Sequence, residues 1–565
     1  MLSVPEHVRT LIDPARFSQG LRTLRAFAVR MTVVDRADPR SARSTLAAAA
    51  RSHRWAIPVS VGVGVAVIDL IGAGIPSYWG DEAASVMSAQ RSMPSLLREL
   101  SAVDAVHGLY YAVLHLWVGA FGAGEWATRA LSVIATGVLA AGLVVLGRRW
   151  VDHRTGVIAG LLVAVIPRSS ALAIEARGYA ITEALAVWLV VLFLVLRDRG
   201  APRGRWIRFG VLSGLAAWFF LYLLLVPLAL ICAALVDRVL SDRVLSGGVL
   251  SGGVLSSGAS ARRRASAGPP ARGDLIIAAL VAVAVALPII IVAALQRHQV
   301  AFLHHRDYLS IPGVLVAPWF GHASVAVVLW AVIVAGLYHG IREHRRRTWV
   351  LPVLAWLIVP GLALIILDVL VSPTYDPRYL AVSLGAVALL AASGITGVLE
   401  TLSRRRPVLT FCAAVLALLV LGTTVPQYLH QRTVYAKDGG ADFRTVAAAM
   451  AEQAHLGDAV LFGDGPRPSR TARLSYRLYP ASFAGLQDPQ LVTPFDERAG
   501  LWDELAPVTA VASRLREHTV WLIESAHAQS GSSDRAALKQ QGYALVNLEH
   551  LHRTTVYEFV KRSSS

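Results

Sequence analysis

The stretch WAIPVSVGVGVAVIDLIGAGIPSYWGDEAASVMSAQ, residues 55–90, decides how the chain is read. About its first 20 residues are apolar apart from Asp69, the length a helix needs to cross a bilayer core. A few residues beyond the run stands an acidic pair, Asp81-Glu82. A span that delivers paired carboxylates to one membrane surface is the unit from which the rest is built outward.

The remainder agrees with a membrane setting. Of 565 residues 55% are hydrophobic and only 16% charged, and mean hydropathy is +0.53, values too apolar for a soluble enzyme of this size and incompatible with disordered or fibrous chains. The length exceeds one single-core domain and points to a membrane bundle with a further part attached. The formal charge of +17 comes from 54 Lys+Arg against 37 Asp+Glu, nearly all of the basic residues being Arg, with Lys only at Lys437, Lys539 and Lys561. Its distribution follows membrane topology, so no nucleic-acid partner is expected. Cys232 and Cys412 lie inside apolar runs, where a thiol acts as a small hydrophobe, and neither a disulfide framework nor a zinc spacing is present.

Short Arg-rich loops stay cytoplasmic, which orients the spans. Residues 1–54 form an Arg-rich cytoplasmic segment, and the first span is expected at 55–75. The loop 76–126 carries Asp81, Glu82, Glu99, Asp104 and Glu125 against only Arg91 and Arg98, and is expected outside. Within it GLYYAVLHLWVGAF, residues 108–121, reads as a helix lying on the outer surface, because a crossing there would turn GRRWVDHR outward. Further spans are expected at 127–147, 155–173 and 181–196, as two short helices within 207–236 meeting near Phe220–Leu223, and at 274–295, 323–340, 348–371, 379–399 and 407–426. These make about eleven spans in the membrane part, 55–426. A low-complexity cytoplasmic loop occupies 237–273, with SDRVLSGGVLSGGVLSSG and ARRRASAGPPARG. From 427 to 565 the composition changes to that of an α/β domain, with an amphipathic helix in DFRTVAAAMAEQAHL and strands in DAVLFGD, TVWLIES and TTVYEFVKR. The topology places it outside. GDGPRPSR within it lacks the glycine spacing of a phosphate loop and reads as a turn.

Charge inside a bilayer is costly, so the position of each ionisable group is informative. Asp69, Arg168, Glu175, Glu183 and Asp368 fall near the outward ends of their spans, beside loops holding Asp81, Arg177, Asp307, Asp376 and Arg378. A transport pathway would place such groups at the midplane, whereas this set predicts a reaction site at the outer interface. Asp81 and Glu82 stand where a partly buried carboxylate can take a proton from an acceptor hydroxyl; a helix N-terminus favouring acids is the bland alternative. Arg177 in EARGYA and Arg378 in YDPRYL are suited to a phosphate, which a guanidinium binds with two parallel hydrogen bonds. Asp104, His107 and Tyr110 in DAVHGLYY, with Tyr179 and Tyr379, are candidate lining residues. The outer loop QRHQVAFLHHRDYLS adds His298, His304, His305, Arg306 and Asp307, in a spacing that matches no metal-ligand pattern.

An acidic pair after the first span, H-x-L-Y-Y in a juxtamembrane helix, E-A-R-x-Y-A after the third span and P-R-Y-L before a late span, in that order, resemble the GT-C superfamily of glycosyltransferases. The nearest likeness is to the family 39-like polyprenyl-phosphate-sugar-dependent mannosyltransferases and the related actinobacterial arabinofuranosyltransferases. The resemblance covers 55–426 and implies a mainly α, polytopic helix bundle of GT-C type with an extracytoplasmic α/β domain. It implies that Asp81 is the base, with Glu82 beside it shaping the site. Arg177 and Arg378, helped by His305 and Arg306, would hold the donor phosphate, and His107, Tyr110, Tyr179, Tyr379 and Asp104 would line the site. Where members of the group often carry prolines after the His, this chain has Gly108-Leu109. The implied partners are a polyprenyl-phosphate sugar donor, the lipid bilayer, and a glycan, glycolipid or protein acceptor in the cell envelope; no cofactor is required and no metal site is expected. Arabinofuranosyl transfer is the alternative within the class, and a lipid-linked glycan transporter or envelope scaffold the alternative outside it.

Overall fold

The computed structural model describes residues 39–247, 270–299, 303, 306–342, 347–402, 406–525 and 531–562. The described residues before Pro58 and those from Pro58 onward fall into two units, and the site lies in the second. His304 and His305 lie outside the described residues.

Eight described helices are long and apolar enough to cross a membrane: Glu125–Trp150, Tyr179–Asp198, Leu221–Val239, Arg272–Leu295, Ala323–Arg342, Trp349–Leu370, Pro377–Thr401 and Phe411–His430. A ninth arises if the bent pair His153–Leu162 and Pro167–Ala173 is one span. The chain is thus a multi-pass membrane protein. Two of the expected spans fall short. The first apolar stretch continues as helix only to Leu70, and its apolar part, Trp55–Leu70, is among the shorter helices. The 207–236 region divides as expected, but helix Arg203–Ala216 has only 14 residues, about 21 Å of rise. The pair at 153–173 bends by 61° because Pro167 opens the second helix and holds Ile166 extended, at ψ 117°. Gly108–Phe121 is a separate helix of 14 residues, and its Tyr110, Tyr111 and Leu114 pack with Ala89 and Leu96.

Burial sorts the helices. Within their apolar windows Pro377–Thr401 is 83% buried and Tyr179–Asp198 72%, whereas Phe411–His430 is 11% buried. The first two are the bundle interior and the last meets lipid. Leu280, Leu295, Val327 and Leu418 are exposed, as apolar side chains are when hydrocarbon is their solvent. Small residues allow the closest crossing: a Cβ added at Gly394 would lie 1.9 Å from the Val332 carbonyl oxygen, so Gly336 and Gly394 let two backbones touch.

The C-terminal part is a four-stranded sheet flanked by helices. Strands β1 (Ala459–Phe462), β4 (Thr519–Ser525), β5 (Tyr543–His550) and β6 (Thr554–Lys561) run in the order β1-β4-β6-β5, and β2 (Leu491–Thr493) pairs with β3 (Glu504–Leu505) as a small antiparallel ribbon. β1 and β4 are parallel, and the pairs β4–β6 and β5–β6 are antiparallel. Alternate residues enter different cores. Ala459, Leu461, Val520, Leu522 and Phe559 face one side, and Val460, Phe462, Trp521, Ile523 and Val556 the other. Burial on both faces explains why β1 and β4 read as continuous apolar runs.

Candidate active site

Helix Gly80–Gln90 begins after extended Trp79, with Asp81 and Glu82 in its first turn, where the helix dipole favours anions. Consecutive helical residues point about 100° apart, so the two carboxylates separate. Asp81 lines a cavity of about 790 Å³, and its Oδ2 accepts a hydrogen bond from Arg378 Nη1 at 2.7 Å. Glu82 is fully buried. It accepts from Arg129 Nε and Nη2 at 2.8 and 2.7 Å and from the Ala176 N–H at 2.9 Å, and Lys437 Nζ lies 3.2 Å away. Burial alone would push Glu82 up; the charges of Arg129 and Lys437 and these hydrogen bonds overcome it and hold the group at about 2. Glu82 does not line the cavity and acts as an internal clamp behind Asp81.

Arg378 is itself fixed. Asp376 accepts from its backbone N–H at 2.9 Å and from its Nη2 at 3.0 Å. Asp368 Oδ1 accepts from the N–H groups of Thr374 and Tyr375 at 2.6 and 2.7 Å, holding the turn that presents Arg378. Its guanidinium lies 5.6 Å from the Trp79 ring centroid, within cation–π range. Burial raises the Asp376 carboxyl, but Arg378 more than reverses this and leaves it below its ordinary value.

Arg177 also lines the cavity. Its Nη1 donates to Tyr111 Oη at 3.1 Å and to Ser85 Oγ at 3.3 Å, and its Nη2 lies 2.9 Å from His107 Nε2. Burial, followed by the Arg177 and Arg378 charges, drives His107 well below its ordinary range, so neutral His107 accepts from Arg177 and holds it in place. Tyr111 Oη in turn donates to Asp104 Oδ2 at 2.7 Å. Asp104 sits at φ 56°, a left-handed conformation that Asp tolerates better than most residues, and its N–H donates to Gln299 Oε1 at 2.9 Å. Tyr110 departs from expectation: it is buried, does not line the cavity, and its hydroxyl has no partner among the described residues. Its neighbour Tyr111 carries the polar contact, again because adjacent helical residues diverge. Asp104, His107, Tyr179, Arg306 and Tyr379 all line the cavity.

The charge balance describes the ligand. Seven cations line the cavity, Arg168, Arg177, Arg306, Arg378, Lys437, Arg467 and Arg470, against the carboxylates Asp81, Asp104, Glu175 and Asp438. Burial raises both Asp104 and Glu175 above their ordinary values. An anion fits. Among the described residues no three His, Cys, Asp or Glu side chains form a metal-ligand group.

No protein-family profile matches the chain, and no curated protein matches it in sequence. Solved structures do resemble it. ArnT from Cupriavidus metallidurans bound to undecaprenyl phosphate shares 14% identity, covering 88% of this chain and 97% of ArnT, with a TM-score of 0.53. In the apo state ArnT gives 15% identity, the same coverage and a TM-score of 0.52. The fold is of the GT-C type.

Several residues that line the cavity were not singled out as site residues in the sequence, among them Lys437, Asp438, Arg467, Arg470 and Trp502. Lys437, in the connection that follows the last long helix, lines the cavity and donates to the Ile174 carbonyl at 2.6 Å. It is followed by Asp438 at φ 47° and by Gly439 and Gly440, also with positive φ, and this tight reversal turns the chain from the bundle into the α/β part. Asp438 is bound by Arg470 and by Arg553 Nη1, at 3.3 Å from the latter. Arg467, Arg470 and Trp502 reach the cavity from the α/β part. Contact there is close: a Cβ at Gly80 would stand 2.1 Å from the Ser469 carbonyl oxygen. The signal that was present is the rarity of lysine combined with the following Asp-Gly-Gly; the turn GDGPRPSR carries no mark of what its arginines face.

Proposed function

We propose that the protein is a membrane glycosyltransferase that moves a sugar from a polyprenyl-phosphate carrier to a hydroxyl of a cell-envelope glycan, glycolipid or protein on the outer side of the membrane. The observation that carries this reading is the Asp81 carboxylate, set against Arg378 in a cavity otherwise rich in cations. The GT-C fold and the undecaprenyl phosphate held by ArnT support a lipid-phosphate donor. In this mechanism the acceptor hydroxyl gives its proton to Asp81 as its oxygen attacks the anomeric carbon. The bond from that carbon to the phosphate oxygen breaks with inversion, and the electron pair leaves on the lipid phosphate. Arg177, Arg378 and Lys437 stabilise the charge gathering there, the term that contributes most in such transfers. Asp376 and His107 keep the two arginines aimed. Mannose is the proposed sugar on the motif resemblance alone.

The test is transfer by purified protein in detergent, with polyprenyl-phosphate mannose and polyprenyl-phosphate arabinofuranose supplied separately to membrane acceptors. Transfer from the mannose donor alone is the expected result; transfer from the arabinose donor alone replaces the sugar, and no transfer from either overturns the reading.

Lys437 adds a pH signature. Burial pushes its ammonium down to about 8, against the pull of Glu82. A lowered lysine is charged below that value and neutral above it, so kcat/KM for the donor should fall as pH rises through about 8. Loss of one charged hydrogen bond, about 1.5 kcal/mol, gives roughly a tenfold fall. Lys437→Arg, which keeps its charge, should flatten this step; a step of equal size in that variant assigns it to another group.

A further inference from the structure

A second cavity, about 480 Å³ in volume, opens at the carboxyl end of β1. This is where α/β sheets gather their ligands, and the volume is in the usual range for a small-molecule site. Its chemistry is mixed in an informative way. Asp464 and Asp534 both line it, and neither forms a hydrogen bond or ion pair with another described residue. Asp534 is only 6% exposed, and after burial the Asp464 charge raises it further. Arg473 also lines the cavity and is 3% exposed. Its Nε donates to Asp503 at 2.8 Å and its Nη2 pairs with Asp488 at 2.6 Å, while Nη1 has no hydrogen-bond acceptor among the described residues. The indole of Trp502 completes the wall.

Three ligand classes can be compared on this lining. A phosphate would meet two unpaired carboxylates, since Arg473, Arg477 and Arg467, which also line the cavity, already face Asp488, Asp503 and Asp438. A cation would satisfy them but leave the Arg473 donor unfilled. A neutral polyol does both, since each hydroxyl donates and accepts, and the apolar face of a sugar ring can rest on an indole. Position adds the second argument: Arg467, Pro468 and Trp502 line both this cavity and the one holding Asp81, so a ligand seated in one borders the other.

We propose that this second cavity is the acceptor subsite, taking a short neutral saccharide and directing its reactive hydroxyl past Trp502 toward Asp81. The proposal rests on the transferase reading and narrows its acceptor to a glycan or the glycan part of a glycolipid.

The test titrates the full-length protein in detergent with methyl mannoside, methyl arabinofuranoside and the corresponding disaccharides, read by saturation-transfer NMR. Release of sugar from the polyprenyl-phosphate donor into water is followed in parallel. Saturable binding of at least one saccharide is expected, with Kd raised about tenfold in Asp464→Asn, whose exposed side chain makes misfolding no explanation, and with polyprenyl-phosphate affinity retained. Asp534→Asn is the second variant and should act in the same direction. No saccharide binding by a protein that cleaves its donor, or unchanged Kd in both variants, overturns the subsite. Failure of donor cleavage with saccharide binding intact overturns the transferase reading and the acceptor role, and keeps only the saccharide site.

Discussion

Asp81→Asn should lower kcat for sugar transfer by about two to four orders of magnitude, the range spanned by a positioned general base, while leaving the folded protein intact. The amide keeps the shape of the carboxylate and can still accept from Arg378, but it cannot take the acceptor's proton. Stability should move little. The Asp81 and Arg378 side chains are 29% and 22% exposed, and a pair open to water contributes about 0–1 kcal/mol. Arg378 also keeps Asp376, so it should stay aimed. Single-turnover rates with a fixed donor, alongside thermal unfolding in the same detergent, separate the two effects. Turnover above a tenth of wild type would remove Asp81 from the role of base.

Glu82→Gln should do the reverse, costing about 3–5 kcal/mol of stability, as expected when one member of a buried ion pair is removed. Arg129 and Glu82 both have fully buried side chains, and with the carboxylate gone Arg129 and Lys437 face each other without a counter-charge. Arg129 Nη1 also donates to the carbonyls of Ala73 and Pro76, each at 2.8 Å, so the same guanidinium holds the segment leading into Asp81. Thermal unfolding should therefore shift strongly downward, and donor KM and kcat should worsen together as Asp81 loses its support. The double variant Glu82→Gln with Arg129→Leu should recover part of the stability, because the buried guanidinium is then no longer stranded and Lys437 alone is left without its carboxylate. A Glu82→Gln protein as stable as wild type would show that the pair is not the clamp.

These two outcomes separate residues that are adjacent in the chain, and that separation marks the limit of what a sequence shows. Spans were legible because apolar length is additive: each residue contributes its own transfer free energy wherever its neighbours lie. The strands β1, β4 and β6 were legible as short apolar runs between turns. Arg177 and Arg378 were legible because arginine on an outward loop opposes the usual charge bias. The bend at Pro167 and the shortness of Arg203–Ala216 were less so, since both depend on where a helix stops and what it packs against.

Sequence by itself determined that this chain is a membrane bundle joined to an α/β part, with acidic and arginine-rich motifs gathered at one level. Those are consequences of local composition and of the solvent each segment tolerates. Only the tertiary structure decided which carboxylate of the Asp81-Glu82 pair meets the cavity and which is sealed against Arg129, that Tyr111 rather than Tyr110 carries the contact to Arg177, and that Lys437, Arg467 and Arg470 join from the far end of the chain. The reason is physical. Charge pairing and burial act through space over a few ångströms, and the distances between Glu82, Arg129 and Lys437 exist only once the helices have packed and the Asp438–Gly440 reversal has brought the α/β part back onto them.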